Sequence, residues 1–235
     1  MVSVLQPARA ILDPVDGLSS AIEARRWFWP LLFLVVAVSC SGAAFALRWN
    51  AERTVTQQLQ MSGELQNTTE QDLAQQIITA QRVRLVTGVA QGVFMVPALV
   101  VSVAVILKLA GWLFSAPTPF TKCLSAAAVA MLPLALLHFI LAASFLRQPA
   151  VADGQDAQLV PSSLVALWPH STGAAQRVLA SLDFFKLWSA ALLGLGFSAA
   201  SGMPRARALL LSFVLYAMYV GAFTVGLSGM RGGVS

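Results

Sequence analysis

The sequence has little charge. Only 11% of its 235 residues are Asp, Glu, Lys or Arg, and 57% are apolar. A soluble domain carries about 25% charged and about 45–50% apolar residues. A 24.9 kDa chain this short of charge cannot dress a soluble surface. Disorder is excluded from the opposite side, because it needs low hydrophobicity and high charge. Cysteine and histidine are scarce too, at two each. Cys40 and Cys123 fall in or beside different apolar runs and read as buried thiols, not as a disulfide frame. No CxxC, HExxH or Cys/His cluster offers a zinc site. No GxSxG, P-loop or dinucleotide fingerprint supports hydrolase or nucleotide chemistry. A mean hydropathy of +0.74 points to an all-α polytopic membrane protein.

What is present is ordered along the chain. Residues 1–27 form a polar-to-amphipathic lead, with Leu18, Ala21, Ile22 and Arg25 at helical spacing and Asp16 or Ser19 as caps, so a short helix on the membrane surface is expected. The first apolar run, 28–47, is uncharged and flanked by Trp27, Trp29 and Trp49, as an aromatic belt requires. Arg25-Arg26-Trp27-Phe28, Ala44-Phe45-Ala46 and Val38-Ser39-Cys40 imitate export and cleavage signals. Each depends on cleavage after this run, and a long lead followed by further spans argues against that. The connection 48–84 is rich in Gln, with Val55 and Leu59, then Leu73 and Ile77, four apart and a Thr69-x-x-Asp72 capping box. It reads as two short amphipathic helices in a hairpin outside the membrane.

The second span is 85–107, kinked by Pro97, with a small-residue pair at Gly88 and Gly92 beside Gln91. Packing within the chain is favoured over dimerisation there, and a homo-oligomer stays open. A turn at 108–123 leads to the third span, 124–146, with Pro133 near its middle and His138 beyond it. The connection 147–183 precedes the fourth span, 184–203; a basic turn at 204–207 precedes the fifth, 208–227. Five spans put the termini on opposite sides. With the N-terminus inside, Arg9, Arg25, Arg26, Lys108, Lys122, Arg205 and Arg207 face Arg48, Arg53, Arg82, Arg84, Arg147, Arg177 and Arg231, an even split that decides nothing. The short turns at 108–123 and 204–207 favour a cytoplasmic N-terminus.

The net charge of +5 and pI near 9.9 come from cations at the ends of apolar runs, which is helix flanking and not a nucleic-acid footprint. Polar groups inside spans are the functional suspects. His138 is the deepest titratable one; the spans hold no deep acid beside it. Gln91 is expected to bond a neighbouring helix. Asp183 and Lys186, three apart, are expected to pair along one helix face. No cofactor is expected. An enzyme or solo carrier lacks the convergent polar lining it needs.

The fourth and fifth spans carry an order of their own. Asp183-Phe184-Phe185-Lys186-Leu187-Trp188 is followed by Gly194 and Gly196, then by Ser201-Gly202-Met203-Pro204-Arg205-Ala206-Arg207. This order resembles the C-terminal signature of the Yip family, the Ypt-interacting-protein-one type of small membrane protein. Asp13-Pro14 followed by Arg25-Arg26-Trp27 and Pro30 is similar to that family's approach to its first span, and Pro133 fits as well. The resemblance is firmest over 183–208. It implies five spans with a cytoplasmic N-terminus and a non-enzymatic role in membrane assemblies. Eukaryotic members work in vesicle traffic and bind small GTPases of the Rab class. Many bacterial members look like partners of ATP-driven exporters, and the Gln-rich loop and brief lead are similar to those. The resemblance thus implies an accessory subunit in a bacterial cytoplasmic membrane, meeting a transporter permease, a periplasmic adaptor or both. A stand-alone membrane-organising protein is the alternative, and a carrier or enzyme using His138 a second.

Overall fold

The computed structural model describes residues 16–23, 26–151, 159–168 and 173–222; Asp13, Pro14, Arg25 and the side chains of Asp16 and Ser19 lie outside what it describes. The described residues are helical and form no strands. Five helical stretches are long and apolar enough to cross a membrane: Phe28–Arg48, Glu70–Leu113, Phe120–Arg147, Phe184–Ser201 and Arg205–Ala222.

The lead helix α1 (Asp16–Glu23) does not lie free on a surface. It packs against the third and fourth spans, where Ala21 and Ile22 are buried in the main core. Apolar side chains wedged between two helices lose more water contact than on a half-solvated face. The first span is α2 (Phe28–Arg48), uninterrupted despite Pro30, which stands in its first turn where no intrahelical N–H is needed.

The polar connection departs from expectation. α3 (Ala51–Ser62) is capped by Asn50, whose side chain accepts from the Arg53 N–H at 3.0 Å, and it ends at Gly63 in the left-handed conformation that glycine adopts without strain. The Thr69 cap forms, with the Asp72 N–H donating to Thr69 Oγ1 at 3.2 Å and Asp72 Oδ2 accepting from the Thr69 hydroxyl at 2.7 Å. The helix it starts does not stop at the membrane. α4 (Glu70–Ala90), a π-helical turn (Gln91–Met95) and α5 (Val96–Leu113) run on as one 44-residue stretch. At 1.5 Å per residue this is about 66 Å, about twice the hydrocarbon core of a bilayer. No proline or glycine interrupts 70–87, and Gln, Ala, Leu and Arg all favour helix, so the switch from polar to apolar leaves the backbone unchanged. With 85–107 embedded, Glu70–Arg84 projects about 22 Å, and α3 packs along it.

Proline sets the two irregularities. Pro97 has no N–H and its ring crowds the carbonyl four residues back. The wider π turn stands just before it. In the third span, Pro133 divides α6 (Phe120–Ala130) from α7 (Leu132–Arg147) at Met131.

The third span is the hub. α6 packs on α5 and on α9 (Phe184–Ser201), and α7 packs on α2. Every residue from Cys123 to Ala130 is buried, most of them Ala or Ser, and small side chains let helix backbones approach closely. Half of this span's apolar window is buried within the chain, against 11% of the fifth span's, so the fifth is an edge helix. That fifth span, α10 (Arg205–Tyr219), packs mainly on α9. Of the two thiols only Cys123 is buried; Cys40 lies on the open face of α2, because the first span packs along other sides. A short helix, α8 (Gly173–Ser181), precedes α9.

Candidate functional site

Small residues bring the first two spans together. A Cβ on Gly88 would lie 2.8 Å from the Gly42 carbonyl oxygen, and one on Gly92 would lie 2.7 Å from the Ser39 nitrogen. Both are closer than a real Cβ tolerates, so only glycine permits this crossing of α2 with α4 and the π turn. The Gly88–Gly92 pair is thus used within the chain. Ser39 Oγ donates to the Val89 carbonyl at 3.3 Å across the contact.

Beside this crossing lies a cleft of about 300 Å³ bordered by α2, α4, the π turn and α7. Ser41, Arg84, Thr87, Gln91 and His138 bring polar groups to it; Phe45, Leu141 and Phe145 supply its apolar wall. Ser41 Oγ lies 2.9 Å from His138 Nδ1 and also 2.9 Å from the Val38 carbonyl, to which it donates. Arg84 stands over the rings of Phe45 at 4.8 Å and Trp49 at 5.4 Å, a cation–π arrangement at the end of the first span. Backbone stitching holds that end in place: Val151 N–H donates to the Arg48 carbonyl at 2.7 Å, and Asn50 N–H to the Val151 carbonyl at 3.2 Å. Gln91, expected to bond a neighbouring helix, makes no side-chain hydrogen bond to any described residue; it opens the π turn and lines the cleft.

A second polar cluster lies at the start of α9. Asp183 is 4% exposed and caps the helix, its Oδ1 accepting from Phe185 N–H at 2.9 Å and Lys186 N–H at 3.3 Å. Its other oxygen accepts from Ser162 Oγ. The expected Asp183–Lys186 pair is not made: Lys186 Nζ donates to the Ala180 carbonyl at 3.1 Å, since the carboxylate has turned to the helix amides. Trp188 packs against Phe184 one turn earlier, ring centroids 5.5 Å apart, and against the main core. Tyr216 on α10 donates to the Ser181 carbonyl, binding the fifth span to this cluster.

The other sequence-selected residues are scaffold or surface. A Cβ on Gly194 would lie 2.8 Å from Leu209 Cα, so this glycine sets the α9–α10 approach; Gly196 is buried in α9. Pro133 is fully buried at the start of α7. Arg205 and Arg207 are exposed, and they occupy the first turn of α10; the turn itself is Gly202-Met203-Pro204. Ser41 and Arg84 had no place among the candidates. Their signal was weak but present: Arg84, Thr87, Gly88 and Gln91 recur at the spacing of one helix face.

The Yip1 domain family model matches residues 8–225. No curated protein and no solved structure matches the chain. The match runs through all five apolar helices, the cleft and the capped start of α9, and the chain belongs to the Yip1 domain family.

Proposed function

We propose that this protein is a non-enzymatic interaction subunit of an ATP-driven export complex in a bacterial cytoplasmic membrane, with its N-terminus in the cytoplasm. The observation that carries the reading is the surface left open by packing. The second and fifth spans bury only 22% and 11% of their apolar windows within the chain. Such faces suit docking on a permease's helices. The projecting α3–α4 hairpin has a polar surface, as a contact with a periplasmic adaptor would require. Arg205 and Arg207 sit at a helix N-terminus, where the dipole disfavours cations. An anionic cytoplasmic leaflet compensates for that, in keeping with a cytoplasmic turn.

Copurification of the intact chain in mild detergent tests the proposal. Recovery of an ATPase-permease supports it, and isolation of the chain alone from native membranes overturns it. Reporters at Pro117 should read cytoplasmic; an external reading would reverse the topology.

A membrane enzyme is the second reading, and one observation favours it: Ser41 and His138 form a hydroxyl–imidazole pair. The surroundings do not complete a hydrolase. Ser41 lies within the unbroken helix α2, so its neighbouring amides are already bonded and unable to hold an oxyanion. Its hydroxyl has the Val38 carbonyl as an equal partner. A serine-directed fluorophosphonate should leave Ser41 unlabelled; labelling that vanishes in His138→Phe would establish the enzyme instead.

A further inference from the structure

We infer that the cleft between the first three spans binds one uncharged acylglycerol, held by its free hydroxyl. The inference is independent of any export partner.

Depth selects an uncharged ligand. Ser41 stands seven residues before Arg48, which ends α2, and His138 nine before Arg147, which ends α7. Gln91 is six residues beyond Leu85, where the second span begins. At 1.5 Å per residue the three polar groups share a level about 9–14 Å inside the spans, and half of a hydrocarbon core is about 15 Å. A phosphate carried to that level leaves its water behind, and charge at membrane depth is expensive. A neutral polar group enters at far smaller cost once it is hydrogen-bonded. Arg84 stands a further seven residues toward the surface, over Phe45 and Trp49, and is not needed to hold such a ligand.

Hydrogen bonding selects the polar groups of the ligand. The Ser41 hydroxyl has one hydrogen, which it donates to the Val38 carbonyl at 2.9 Å. It therefore accepts from His138 Nδ1, also at 2.9 Å, and Nδ1 carries the proton of the neutral imidazole. Nε2 keeps a lone pair that meets no donor among the described residues. The Gln91 carboxamide is exposed and bonded to no described residue, and it offers N–H donors that seek a carbonyl. Polar groups beside hydrocarbon are costly until something bonds them. One hydroxyl next to ester carbonyls meets both needs, the hydroxyl donating to Nε2 and an ester accepting from Gln91. A plain alcohol meets only the first. Phe45 and Phe145 stand edge to face, ring centroids 5.3 Å apart, and with Leu141 they form a wall for the upper acyl chain. A volume near 300 Å³ suits a glycerol with its esters, the tails lying on the open faces outside.

The test is native mass spectrometry of the full chain in neutral detergent, with dioleoylglycerol, its methyl ether, a polyprenol or phosphatidylglycerol added. One dioleoylglycerol per chain is expected. The methyl ether has no donor and should be retained about fivefold less, the scale of one neutral hydrogen bond. The polyprenol lacks esters and should also be retained less, and excess phosphatidylglycerol should not displace dioleoylglycerol. Gln91→Leu removes no bond to any described residue and should reduce retention severalfold with the unliganded melting temperature unchanged. His138→Phe should erase the preference for dioleoylglycerol over its ether. Nitrogen NMR of the labelled imidazole keeps the inference testable if that variant fails to fold. The chain has two histidines, so in His170→Gln the signal belongs to His138. Nε2 should be unprotonated in the free chain and should shift with dioleoylglycerol but not with the ether. Equal retention of the ether or the polyprenol, displacement by phosphatidylglycerol, unchanged retention in Gln91→Leu, or a protonated Nε2 in the free chain would each overturn the inference.

Discussion

The first and fifth spans are both placed by glycine, yet they are held in different ways. At the α2–α4 crossing both helices contribute glycine, and backbone meets backbone at Gly42, Gly88 and Gly92. The same α2 also packs on α7, so the crossing is confined from a second side. At the α9–α10 crossing only Gly194 is tight, against Leu209 Cα. There the edge helix is tied by hydroxyls: Ser212 Oγ donates to the Ala190 carbonyl at 2.5 Å, and Tyr216 to the Ser181 carbonyl. Within a membrane, apolar area gives little drive for helices to associate, so packing and polar ties take its place. A central helix is located by fit on several sides. An edge helix keeps one face open and relies on a few bonds.

Breaking each contact in turn exposes that difference. Gly42→Leu should do most damage: a Cβ there would lie 2.7 Å from the Gly88 carbonyl carbon, and α2 is held from another side by α7. A loss of about 3 kcal/mol is expected, at the upper end for overpacking, seen as a large fall in detergent melting temperature. Gly194→Leu should cost less, about 1–2 kcal/mol, because the edge helix α10 has room to shift. Crosslinking between α9 and α10 should weaken while that between α2 and α7 persists. Equal losses in the two glycine variants would abolish the contrast.

Asp183→Ala should cost about 1–2 kcal/mol, the usual range for a helix N-cap. Asp183→Asn, which keeps a side-chain oxygen, should recover most of that loss in the same melting assay. The smallest expected effects are Tyr216→Phe and Ser41→Ala, at about 0.6 kcal/mol each, the average for interhelical hydrogen bonds in membranes. Tyr216→Phe should also raise proteolysis of the fifth span, which Ser41→Ala should not.

The elements of this fold were legible where a single residue or run sufficed. Apolar runs announced the spans, and Thr69 and Asp72 announced a helix start; the break at Met131 was not foreseen. Pro97 announced a disturbance but not the π turn that precedes it. The joining of Glu70–Arg84 to the second span was also missed, since a change from polar to apolar marks where a membrane begins and not where a helix ends. Asp183 was found by sequence, but its partner was mistaken: the i+3 lysine is no nearer than the amides the helix itself presents. The cleft was least legible. Ser41 and His138 are 97 positions apart, and Arg84 reads as one more flanking cation until Phe45 and Trp49 are set beneath it.

The sequence by itself determined that the chain lives in a membrane, that it crosses five times and where most of its helices start. Those properties follow from local hydropathy and local backbone chemistry, which a linear chain displays in full. The tertiary structure alone decided which glycines meet, which spans keep an open face, and that five polar residues from three spans border one cleft. Those depend on how helices rotate and cross, and that is fixed by the fit of backbones with no side chain between them, at positions far apart in the chain.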